Sequence, residues 1–294
     1  MTYATLADAR AQQRAHDTFD DSKMKQALLE TSRRMDNSVN VSARYPVFEP
    51  SIETRVFEIS PTMVNSFRGT LHLPYSPRQL LSMTALTVNG TAFATDQVDV
   101  QPFAGAGLLA PYDTLYLRDT SETWYSIVCN TSLNTSVQVV TVAGTWGIIP
   151  NYSQVWQNAD TLAADITASA TSFVVSDVDG TDRNGLIPRF SFGALIRVDD
   201  EMMRVIDTNT TSNTLTVRRA ENGATAAVHS AGAVVEYFYP DHTLRLICAA
   251  QSAMWYERLG AFSNFDLEAG AVTQYPADLL SRLVNSMQLY MNGF

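Results

Sequence analysis

Apolar residues recur at three- and four-residue spacing near the two ends of the chain and alternate with polar ones through most of the middle. Residues 6–15 read as a short polar helix. A clearer helix follows Asp20-Asp21-Ser22, which supplies capping groups, and places Met24, Ala27, Leu28, Thr31 and Met35 on one face. Arg33 and Arg34 are expected in its last turn, where positive charge suits the helix dipole, and Tyr45-Pro46 ends any continuation. Helical spacing returns after Pro240-Asp241, with Leu244, Ile247, Cys248, Gln251, Trp255 and Leu259 on one face and Gly260 as the stop. A last helix is expected from Pro276, carrying Leu280, Leu283, Val284, Met287 and Met291.

Between them the period shortens to two. Thr54–Ile59, Thr84–Val88 with the Asn89-Gly90 turn, Asp113–Arg118 and Val137–Ala143 read as strands, the last apolar on both faces and therefore central. A second β segment follows: Phe173–Val175, a hairpin of Leu195–Val198 and Met202–Ile206 turning at Asp199-Asp200, and Leu215–Val217. The pattern predicts an α+β fold, with an α-helical bundle at the two chain ends framing a β-rich middle. Into this is set a small antiparallel β module. The expected domains are residues 1–156 (helices and sheet), 157–236 (the inserted module) and 237–294 (helices completing the first domain).

With 46% hydrophobic and 17% charged residues the chain reads as globular, and its charge-poor surface suits a protein that assembles. The net charge of −10 argues against a surface that grips nucleic acid, though not against a channel through which DNA slides. Cys129 and Cys248 are read as free buried thiols. The start shows no signal peptide and no apolar run is long enough to span a bilayer, so a cytoplasmic protein without membrane contact is expected.

Candidate chemistry is thin. Asp177-Val-Asp179-Gly-Thr-Asp182 has alternate carboxylates, but Pro188 stands where a calcium loop needs its bidentate Glu, so Asx turns are the better reading. Asp199-Asp200-Glu201 puts three acids at a hairpin tip, where solvated carboxylates are expected. His16, His72, His229 and His242 share no metal-ligand spacing, and no Gly-x-Ser-x-Gly elbow is present. Gly105-Ala-Gly107 precedes a strand instead of opening a helix. No catalytic, cofactor-binding or metal residue is assigned, and an enzyme is not expected. Trp124, Trp146, Trp156 and Trp255 suit core or interface packing, or a sugar-binding surface.

The run Thr214-Leu-Thr-Val-Arg-Arg-Ala-Glu-Asn-Gly-Ala-Thr-Ala-Ala-Val-His-Ser-Ala-Gly232 resembles a segment that recurs in small β modules of tailed-phage structural proteins. Asp20–Asp36, Glu53–Phe57, Leu80–Gly90, Val139–Gly147 and Leu244–Leu259 are similar, in the same order, to segments of the head–tail connector (adaptor) family. The resemblance implies a structural virion protein of the phage neck, assembled in the host cytoplasm. It would form a homo-oligomeric ring, commonly of twelve copies, beneath the portal protein. That ring extends the channel for viral DNA and docks the tail or next neck protein. On this reading Met24, Leu28, Met35, Leu244, Ile247, Trp255 and Leu259 are the candidate interface residues of the ring. Two alternatives stay open: a tail-completion or baseplate component, and a carbohydrate-binding receptor-recognition protein.

Overall fold

Asp20 and Asp241 start the two longer helices. The Asp20 carboxylate accepts from the backbone N–H groups of Ser22 and Lys23, and Asp241 from those of Thr243 and Leu244, which satisfies donors that no helical carbonyl can reach. In the computed structural model the described residues are 2–12, 20–38, 46–59, 63–65, 70–74, 78–102, 112–118, 138–149 and 151–261. The expected final helix from Pro276, Gly105-Ala-Gly107, Trp124 and Cys129 lie outside them.

Three helices are described: α1 (Leu6–Ala11), α2 (Asp21–Ser38) and α3 (His242–Ala261). A reciprocal capping box opens α1, with Thr5 accepting from Asp8 N–H and the Asp8 carboxylate accepting from Thr5 N–H. Helix α2 runs beyond Arg33 and Arg34, so its last turn carries no basic residue, and α3 continues past Gly260.

The chain divides into two compact units. Among the described residues, one unit holds 46–149 and 151–153, and the other holds 2–38 and 154–261.

The unit of residues 46–153 is an antiparallel sheet. Its strands are β1 (Ser51–Ile59), β2 (Val64–Asn65), β3 (Thr70–His72), β4 (Gln79–Val88), β5 (Thr91–Phe93), β6 (Val98–Pro102), β7 (Tyr112–Leu117) and β8 (Gln138–Gly147). The order is β1-β8-β4-β7-β3-β2, with β5 on β4 and β6 on β7. Asn89-Gly90 makes the β4–β5 turn at φ 51° and 83°, as that dipeptide predicts. Leu80, Leu86, Leu115, Val140, Val142 and Trp146 form the core of this sheet. Strand β4 carries two register shifts against β8, and Gly144 sits between them. A Cβ there would lie 2.1 Å from the Ser82 carbonyl oxygen, so only glycine fits.

The other unit carries the second antiparallel sheet: β9 (Trp156–Thr161), β10 (Ser172–Val174), β11 (Leu195–Val198), β12 (Glu201–Asn209), β13 (Thr214–Arg218) and β14 (Val234–Phe238), ordered β10-β13-β12-β11-β14-β9. The outer strands meet. Leu162 bridges Val175, Ala163 N–H donates to Val174 C=O at 3.0 Å, and Ser176 N–H donates to Thr161 C=O at 3.1 Å. The sheet therefore curls around Phe173, Phe190, Ile196, Met203, Val205, Leu215, Val217 and Tyr237.

The expected α-helical bundle framing a β-rich middle is not what forms. The protein is mostly antiparallel sheet, and its three described helices pack beside the curled one. The reason is polar as well as apolar. Leu6 N–H donates to Phe192 C=O, the Thr2 hydroxyl donates to Gly193 C=O, and Arg245 of α3 pairs with Asp182 between β10 and β11. Period alone reveals a helix's apolar face but not what covers it.

Replacing Gly144 with Ala should cost about 3 kcal/mol, the upper end of the usual cost of forcing atoms into a filled interior, because the Cβ would meet backbone. Gly90→Ala, where a Cβ meets nothing within 4 Å but φ stays positive, should cost about 1 kcal/mol. Urea denaturation midpoints of the two variants check the order.

Candidate functional site

Glu201 opens β12 directly after the Asp199-Asp200 turn, and its side chain is fully buried. Everything around it comes from the run 214–232. Arg219 forks onto both carboxylate oxygens, with Nε 2.6 Å from Oε1 and Nη2 2.6 Å from Oε2. The backbone N–H of Ala220 donates to Oε1 at 3.2 Å and that of Ala227 to Oε2 at 2.9 Å. His229 Nε2 lies 2.9 Å from Oε2, and its Nδ1 lies 2.7 Å from Asp199. The rest of Arg219 donates to the carbonyls of Thr167, Ala170 and Ala227, so one guanidinium ties three stretches of backbone to one carboxylate.

The local sequence explains the shape. Ala220, Asn222 and Gly223 all have positive φ (55°, 52° and 83°), which turns the chain tightly after β13. The small residues that follow let the backbone approach Glu201 closely enough to donate. Burial alone would raise the Glu201 pKa. The Arg219 fork, the Ala227 N–H, His229 and the Ala220 N–H outweigh it and lower the pKa to about 2.

This corrects the expectation of three solvated acids at the hairpin tip. Asp199 is 67% exposed and Asp200 is exposed, whereas Glu201 faces inward. It also gives His229 a place that metal-ligand spacing did not suggest. The carboxylate, guanidinium and imidazole are bound to one another and to backbone, so the arrangement holds the loop to the sheet.

A second buried ion cluster joins the helices to the curled sheet. Arg245 Nε donates to Asp8 at 2.8 Å and Nη2 donates to Asp182 at 2.8 Å, with all three side chains nearly buried. Burial opposes the Arg245 charge, but Asp8 and Asp182 outweigh it and raise its pKa. A cavity of about 170 Å³ lies alongside, lined by Asp8, Gln12, Asn184, His242, Arg245 and Leu246. Its charged walls are already paired with each other.

In the run 177–182, Asp177 accepts from Gly180 N–H and pairs with Arg189, while Asp182 accepts from Asn184 and Leu186 N–H. These are Asx turns. Among the described residues no three His, Cys, Asp or Glu side chains are grouped to hold a metal. Met24, Leu28, Met35 and Leu244 are fully buried within the chain, Ile247 is buried and Trp255 half-buried. The side chain of Leu259 lies outside the described set. Arg34 stacks over the Trp255 ring at 4.1 Å. Trp146 is core, and Trp156 packs between Phe238 and Arg197. Cys248 is buried, and its burial pushes the thiol up to about 11 despite hydrogen bonding from Ser32.

No protein-family model and no curated protein matches the chain.

The Glu201 carboxylate has an ordinary value of 4.5 and a folded value of about 2. Its stabilisation is therefore complete above pH 4.5 and fades as pH falls toward 2, a difference of about 3 kcal/mol. Glu201→Gln should lower stability at pH 7 by that order and flatten the acid limb between pH 4.5 and 2, read by urea denaturation across that range. Cys248 should resist thiol reagents at pH 8 in the native protein and react at once in denaturant, measured by timed alkylation and mass spectrometry.

Proposed function

We propose that this chain is a structural virion protein: a head–tail connector that forms a ring beneath a phage portal, extends its DNA channel and docks the tail or next neck component. What carries the reading is where the resembling segments fall. Glu53–Phe57, Val139–Gly147 and Leu80–Gly90 occupy β1, β8 and β4 with its turn, three strands that lie side by side in that order. The features that make those segments distinctive have physical reasons in this arrangement. Gly144 clears the Ser82 carbonyl, Trp146 Nε1 donates to the Glu53 carbonyl at 3.2 Å, and Asn89-Gly90 turns the hairpin.

The run 214–232 adds support of the same kind. Its Arg, Asn-Gly, small residues and His form a self-contained clamp around Glu201. A module held by internal ion pairs suits a component that must keep its shape through assembly. The acid excess suits a channel wall, because like charge discourages DNA from sticking.

Fully buried side chains such as Met24 and Leu28 have no surface left for a neighbour. In a ring, α2 and α3 would instead offer their exposed residues, of which Leu29 and Leu246 are the large apolar ones among the described side chains. The mass of the chain in solution, alone and mixed with the portal protein of the same phage, tests the function. A ring of about a dozen copies, or a monomer that becomes one on the portal, is expected. A chain that ignores the portal would overturn the reading, and a stable trimer that binds glycans would replace it with receptor recognition.

A further inference from the structure

The run Asp177-Val-Asp179-Gly-Thr-Asp182 folds around a positive charge, and that charge is a guanidinium. Arg189 follows Pro188, which stands where a calcium loop brings its last carboxylate to the ion. Its Nη1 donates to Ala159 C=O at 2.8 Å and to Asp177 C=O at 3.3 Å, and its Nε donates to Thr181 C=O at 3.3 Å. Its Nη2 donates to Asp177 Oδ2 at 3.2 Å, and Asp160 Oδ2 lies 3.8 Å from Nη1. Three backbone carbonyls and two carboxylates, from β9 and the β10–β11 connection, converge on one cation.

The usual arginine contact is a two-armed fork on one carboxylate, as Arg219 makes with Glu201. Around Arg189 most acceptors are instead neutral carbonyls, which hard divalent cations accept as ligands alongside carboxylates. Gly180 makes the room. A Cβ there would lie 2.4 Å from Arg189 Nη2 and 2.6 Å from Asp177 Oδ2, so the glycine of the run clears the guanidinium. Backbone also holds the carboxylates in place: Asp160 accepts from Thr161 and Asp177 N–H, and Asp177 accepts from Gly180 N–H. The Arg189 side chain is 21% exposed, so the cluster is open to solvent at one edge.

We propose that Arg189 is a built-in substitute for a divalent cation, and that removing its guanidinium uncovers a calcium site made by Ala159, Asp160, Asp177 and Thr181. The native chain fills the site with its own charge, which fastens the β10–β11 connection to β9 whatever the calcium concentration. Two carboxylates are few for calcium, so the uncovered site should bind with a dissociation constant of about 1 mM, the weak end of protein calcium sites. The site lies wholly within the curled sheet and its connections, so it stands or falls separately from the connector reading.

Urea denaturation of the full chain, in chelator and in about 10 mM calcium, tests the site. Arg189→Ala should be less stable than the native chain in chelator, and calcium should raise its urea midpoint by about 0.5–1 M. If that variant is unfolded in chelator, calcium should refold it. The native chain should not respond, and Arg189→Ala combined with Asp177→Asn should lose most of the response. An Arg189→Ala chain that calcium neither stabilises nor refolds overturns the proposal. So does a native chain that gains as much from calcium, or a double variant that keeps the full response.

Discussion

A buried carboxylate without partners would be ruinous in a small sheet, and Glu201 is buried completely. Its tolerance depends on every bond it accepts being present together: the two-armed Arg219, two backbone N–H groups and His229. That requirement dictates the loop after β13. The chain must turn through three residues of positive φ, pass close with small side chains, and return His229 to the far side of the carboxylate. The curled sheet, the loop from Ala220 to His229 and the stretch from Ile166 to Ala170 are thereby fixed to one another.

Similar logic extends to the helices. Arg245 brings a charge into the interior, where Asp8 from α1 and Asp182 from the sheet's long β10–β11 connection receive it. Arg204, also buried, donates to Gly193 C=O at 3.0 Å and to Thr2 C=O at 3.5 Å. Gly193 has φ +94°, and a Cβ there would meet the Thr2 hydroxyl at 2.1 Å, so the N-terminal strap and the turn before β11 fit only with glycine. These directional bonds place α1 and α3 against the curled sheet more specifically than apolar faces could, since apolar contact has no preferred partner.

The legibility of the chain follows the range of each interaction. Helices α2 and α3 could be read because their caps and apolar faces are written within a few residues, and the Asn89-Gly90 hairpin because the dipeptide itself supplies positive φ. The β11–β12 hairpin was equally local. What covers the helices was not legible, because Arg245 is far in sequence from both Asp8 and Asp182 and nothing local distinguishes it from a surface arginine. Glu201 misled for the same reason. Beside Asp199 and Asp200 it reads as one more solvated acid, and the residues that bury it stand 18 to 28 positions later. The signal was there in Arg219 and His229, inside a run singled out for its resemblance, but not in their spacing.

Helices α1, α2 and α3 belong with the curled sheet as one cooperative body bound by buried ion pairs. Native-state hydrogen exchange of the full chain, followed residue by residue as denaturant is raised, tests it most directly. The core amides of α2 and α3 should open together with those of β11, β12 and β13, at one free energy and with one denaturant dependence. Helix amides that open at a lower free energy while those strands stay protected would contradict it.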